Sequence, residues 1–268
     1  MTRRRARGLT GFALTLSAVL GGASVEAQWP RQESRLARGA DGRVDLDAPA
    51  RRTRDGRPDL SGVWEQYSEW ELPKYLLDIA ADLKPEDVPL LPSARALLQY
   101  RRANNSAEHP GARCLPSGIP EKNAVPAPFK IVQTPDLLVV LYESRTIFRQ
   151  IFTDGRALPP PDAQPTWQGY SIGRWENDTL VVETSGFNGK TWLDMAGHPA
   201  TEALRVIERF TRRTVGQIEL QVTIDDPKAY ARPWTVNQRL RLLPEDELIE
   251  HICEENNRAP VHIYDGGR

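Results

Sequence analysis

Ile218, Leu220, Val222 and Ile224 alternate with Glu219, Gln221, Thr223 and Asp225 without an error. A period of two is what a strand with one dry face and one wet face requires. From Phe129 onward the chain is full of such runs: 130–134, 137–144, 146–153, 167–176, 179–184, 204–213, 217–225, 235–243 and 247–254 each predict a strand. Turn residues separate them, at Pro135-Asp136, Asp154-Gly155, Asn177-Asp178, Thr214–Gly216 and Pro244-Glu245-Asp246. Hairpin-linked strands leave sheet edges to be managed, and closure into a barrel is the usual solution. The expected fold is therefore mainly β, an antiparallel β-barrel of lipocalin-like shape.

Ahead of these strands the period changes. Leu76, Leu77, Ile79 and Ala80 share a helical face, and 93–102 predicts a second short helix with Ser93 as N-cap. Two short helices thus precede the barrel, followed by a proline-punctuated loop over 103–128. Residues 28–58 are rich in Arg, Asp and Gly and predict a mobile leader. Residues 1–27 combine Arg3, Arg4, Arg5 and Arg7, an apolar stretch over 9–20 and Val25-Glu26-Ala27, the layout of a secretory signal peptide. Residues 59–268 then form a single β-rich domain with a helical insertion at 72–102, periplasmic or secreted. No other apolar run approaches the ~20 residues of a membrane helix, so no stable membrane insertion is expected after cleavage.

Composition narrows the picture. Without residues 1–27 the chain carries 31 basic and 35 acidic residues, well mixed, which gives no footprint for nucleic acid. The 22 prolines argue against a helical bundle. Cys114 and Cys253 are the two cysteines, and in an oxidising compartment two such residues pair. Closing so long a loop is worth roughly 4–5 kcal/mol on a chain-entropy model. No CxxC, HExxH or phosphate-binding glycine loop occurs, so no metal or cofactor is expected.

Chemistry should lie where alternation forces a polar group inward, because an unpaired interior charge costs several kcal/mol. Glu208 falls on the face of Leu204, Val206 and Phe210. Glu143 falls with Leu137, Val139 and Leu141, and Arg149 sits between Ile147 and Ile151, where it could meet Glu143. His251 shares a face with Ile249 and Cys253 in the last strand. These are either bridges and core hydrogen-bonding groups or an acid–base set in a lumen. Asp225-Asp226-Pro227 is either a turn or a carboxylate pair near Tyr230 and Trp234. Trp192, Asp194 and His198 lie in a glycine-flanked loop able to lid a cavity.

The chain resembles a group of exported bacterial proteins without a settled activity. The resemblance is carried by 55–64 (DGRPDLSGVW), Cys114-Leu115-Pro116, 169–182 (GYSIGRWENDTLVV), Ile207-Glu208-Arg209-Phe210, 223–227 (TIDDP) and 253–256 (CEEN). It covers nearly all of the mature chain and implies export and a β-rich body. The chain departs from the group at Leu158 and Tyr170, where histidine is common, which sets it apart from any chemistry those histidines serve.

Three functions follow. One is a binding protein holding a small, partly apolar ligand in the barrel, with Trp167, Trp175, Trp192, Trp234 and Tyr230 lining or lidding it and Arg149 and Glu143 or Glu208 at its polar ends. Another is a cofactor-free lyase, isomerase or hydrolase using Glu208, His251 or Asp225 as acid or base. The third is an envelope structural subunit, the reading left standing, with both others ruled out, if the barrel is filled by its own side chains and holds no cavity.

Overall fold

The computed structural model describes residues 34–67 and 73–255. The proposed signal peptide and residues 28–33 lie outside them. Nine strands close into a barrel in chain order: β1 (Gly62–Gln66), β2 (Phe129–Gln133), β3 (Leu137–Tyr142), β4 (Ile147–Phe152), β5 (Tyr170–Glu176), β6 (Thr179–Ser185), β7 (Arg205–Arg212), β8 (Gln217–Asp225) and β9 (Trp234–Leu242). Neighbours are antiparallel except β4 and β5, which run parallel. β9 closes on β1 through Trp64↔Leu242, Glu65↔Arg241 and Gln66↔Leu240. The barrel expected from alternation is present.

Alternation decides which side chains go inside. β8 buries Ile218, Leu220, Val222 and Ile224, and β7 buries Val206, Glu208, Phe210 and Arg212. In β3 the inward set is Leu138, Val140 and Tyr142, not Leu137, Val139 and Leu141. Both faces of that strand are apolar, so its period cannot choose between them. Glu143 consequently lies past the end of β3, only half-buried, and not on its dry face.

The first strand, β1, precedes the helical region, so the helices form an insertion between β1 and β2. They are α1 (Lys74–Leu77), α2 (Pro92–Ala103) and α3 (Glu121–Ala124). The N-cap of α2 is Leu91 with Pro92 in the first turn, instead of Ser93. Proline is suited there because its missing N–H has no acceptor in the first turn. Every residue of α3 is buried, and α3 packs on β1 and α1.

Residues 34–58, read as a mobile leader, are bonded along the barrel. Leu46 and Ala48 accept N–H groups from Gly216 and Val215, and Arg52 makes a two-point contact with Asp178. At the other end, the strand expected over 247–254 is absent. Both edges of β9 are already taken, by β8 and β1, so 247–254 has no ladder to join. Cys114 and Cys253 nevertheless form the expected disulfide, with Cα atoms 5.6 Å apart. Among the described residues no helix is long and apolar enough to cross a membrane.

Candidate functional site

The barrel interior is full. Leu60, Phe129, Ile131, Leu138, Val140, Ile151, Leu180 and Phe210 meet around a space of about 10 Å³, room for a single water at most. A ligand lumen of the kind expected from the sequence is not found there.

Beside the apolar layer lies a polar one. Arg149, turned inward from β4, donates to both carboxylate oxygens of Glu208, with Nη1 to Oε1 at 3.3 Å and Nη2 to Oε2 at 2.5 Å. It also donates from Nε to Ser171 Oγ (3.0 Å) and from Nη2 to Thr184 Oγ1 (2.8 Å). Asn123 of α3 donates to Glu208 Oε1 (2.7 Å) and accepts from the Tyr142 hydroxyl (2.7 Å). Burial works against the Arg149 charge, but Glu208 and Tyr142 outweigh it and raise its pKa. Glu208 is fully buried and its carboxylate is committed to three donors. It ties α3 and β4 to β7, a structural role.

The other proposed acid–base residues are elsewhere. His251 is exposed, and its Nδ1 accepts the Arg145 N–H at 3.0 Å. Asp225 is half-buried at the end of β8, opposite Arg205. Among the described residues, no hydrogen bond or ion pair joins any two of Glu208, His251 and Asp225. Glu143 does not meet Arg149; it accepts the Ile249 N–H (3.1 Å) and helps hold the tail against the β3–β4 turn.

The aromatic set divides in the same way. Trp192 is buried, with the Arg101 guanidinium 4.0 Å from its ring centre and His109 edge-on at 5.0 Å. Trp234 and Tyr230 are buried against each other, and the Tyr230 hydroxyl donates to Pro199 O. Trp175 lies under the Arg57 guanidinium. These four pack the fold. Asp194, in the same loop as Trp192, accepts N–H groups from Ile79, Gly197 and His198 and lies 2.6 Å from His198 Nδ1. Asp78, Asp194 and His198 bring one ligand atom each within 4.8 Å of one another. Backbone donors, Arg102 and the imidazole already occupy the two carboxylates, so the trio is a joint pinning the helical insertion to the 186–203 loop.

Only Arg149 and Trp167 of the expected set reach an open site. It is a groove of about 490 Å³ where β4 and β5 part, lined by Pro116, residues 146–150, Phe152 and residues 166–171. β4 and β5 share just two pairs, Ile151↔Ser171 and Phe152↔Ile172. Before Gly169 the chain leans away: Thr166 donates its N–H to Gly186 O and accepts from Asn188 N–H, so it pairs beside β6 rather than β4. Gly169 turns the chain back with φ +68°, where a Cβ would stand 2.6 Å from Ser185 O. At the lower end Tyr170 stacks on Phe152 at 5.2 Å, with the Arg156 guanidinium 3.8 Å from the Phe152 ring centre. Phe148 is 62% exposed, and Gln168 Nε2 is buried without a partner. The groove therefore offers aromatic rings, amides and hydroxyls. Its one charged side chain, Arg149, is neutralised from inside.

Phe148, Gln150 and Gln168 were not singled out in the sequence, and Tyr170 only as a departure from the group the chain resembles. The one available signal was Phe148, a large apolar residue on the wet face of its strand. A comparison with known families finds no family model that matches the chain, and no curated protein matches it either.

Proposed function

We propose that this is an exported binding protein that holds a small, uncharged, partly apolar molecule in the groove between β4 and β5. Export is supported by the layout of residues 1–27 and by the Cys114–Cys253 disulfide, which belongs to oxidising compartments. The observation that carries the binding reading is the seam itself: a concave, ring-lined opening with scattered polar groups, beside a packed barrel interior. Its size falls within the usual range of small-molecule sites, about 300–1,000 Å³. The acid–base reading loses support because Glu208 is saturated and His251 and Asp225 stand apart from it.

Titrating a panel of neutral ring-bearing metabolites while following tryptophan emission tests the proposal. Quenching that saturates in the native protein and disappears in Trp167→Phe supports it. Saturable quenching that survives Trp167→Phe, or none across the panel, sinks it.

A further inference from the structure

The groove has a second property besides its rings. Thr153 donates its N–H to Asp136 O at 2.8 Å, and in an antiparallel ladder the hydrogen-bonded pairs alternate. By that alternation Ile151, Arg149 and Ile147 turn their main-chain groups toward β3. Phe148 turns its N–H and C=O the other way, toward β5, whose pairing reaches back only as far as Ile151. Among the described residues no strand lies opposite Phe148 on that side.

An open strand edge is a template for another chain, and natural sheets usually guard it with lysine, proline or a bulge. β4 reads Ile-Phe-Arg-Gln-Ile-Phe: it has no lysine or proline, and its one arginine points inward. Every other strand of the wall is paired over three or more residues on both edges, apart from the far side of this same seam. The opening thus presents unpaired backbone, as does the β1-facing edge of β9 before Leu240, where Arg239 is exposed; the residues around the seam carry no net charge.

Resting on the groove reading above, we propose that the ligand is an uncharged, extended peptide segment that adds to the β4 edge as a strand. Its backbone pairs with the N–H and C=O of Phe148, and its side chains lie among Phe148, Trp167 and Tyr170. This is peptide capture by strand addition, in which main-chain hydrogen bonds supply affinity and side-chain pockets supply selectivity. The unpaired stretch over 147–150 spans ~13 Å at about 3.3 Å per residue, which suits a segment of roughly four residues.

The test uses the full exported chain and a blocked Val-Phe-Val-Phe tetrapeptide, compared with the same peptide N-methylated at alternate residues in each of the two possible sets. Calorimetry is expected to show that one methylated set binds at least about tenfold more weakly, as loss of main-chain hydrogen bonds requires. Phe148→Pro deletes the outward N–H without touching the β3 ladder and should abolish the difference, while Phe148→Val should retain it. Equal binding by the parent and both methylated peptides overturns the inference, as does an unchanged difference in Phe148→Pro. Should that variant fail to fold, the methylation comparison decides alone. If ring compounds quench Trp167 but no peptide binds, the groove stands and strand addition falls. If neither binds, both fall.

Discussion

β7 and β8 face each other over eight residue pairs, β4 and β5 over two. Both pairs belong to one closed wall. Where the ladder is long, each inward residue has a neighbour across the strand, and even a charge such as Glu208 is enclosed and fully bonded. Where it is short, the wall parts, and backbone and rings face solvent. The cause lies in the connections. A hairpin brings an antiparallel partner back within a few residues. The crossing from β4 to β5 is parallel and runs over residues 153–169, pulled aside by the Thr166 contacts with Gly186 and Asn188. The sealed part contributes stability, and the seam supplies the only groove that the proposed function uses.

The sharpest way to break this contrast is to unseal the strong side. Glu208→Ala leaves the Arg149 guanidinium buried and unpaired, which should cost about 3–5 kcal/mol in urea unfolding. A loss under 1 kcal/mol, with ligand binding abolished instead, would reverse the roles assigned to the two regions.

Removing the disulfide comes next. Cys253→Ser with Cys114→Ser should lower stability by about 2–5 kcal/mol. It should also weaken groove binding, because the tail it anchors bonds to Glu143, Arg145 and Thr146 beside the groove. Stability lost without any change in binding would show that the seam is held by other contacts.

Lys122 gives a smaller effect with a definite pH signature. It is buried in α3 against the Tyr142 ring, and burial, helped by the nearby Arg145, lowers its pKa to about 7 from 10.5. Between those two values the unfolded chain binds more protons than the native one, so stability rises with pH across that window. Below about 7 both states are protonated, and the burial penalty is present in full. Lys122→Met should stabilise the protein at pH 6 by about 1–2 kcal/mol and flatten the rise above pH 7. An unchanged slope would place the titration on another group.

The mildest change falls on the seam. Trp167→Ala should leave stability within about 0.5 kcal/mol of the parent while weakening ligand binding at least tenfold. A large stability loss would mean that the ring packs the wall instead of lining a site.

How much of this could be read from the chain varies strand by strand. β8 shows strict alternation, and its buried face is the one that alternation indicates. β4 and β7 place Arg149 and Glu208 inside as their patterns require. Their pairing with each other was not legible, because Glu143 is nearer to Arg149 along the chain and only the barrel's curvature brings β7 across. β3 is apolar on both faces, so its parity awaited its neighbours. The run over 247–254 alternates as a strand should, yet closure of β9 on β1 leaves it no partner.

The sequence alone determined that the chain is β-rich, which residues most strands bury, and that Cys114 and Cys253 join, since these follow from period two, turn chemistry and cysteine count. Tertiary structure decided where the wall opens, which tryptophan faces that opening, and which carboxylate meets Arg149. Those depend on contacts between residues far apart in the chain, and no local pattern encodes them.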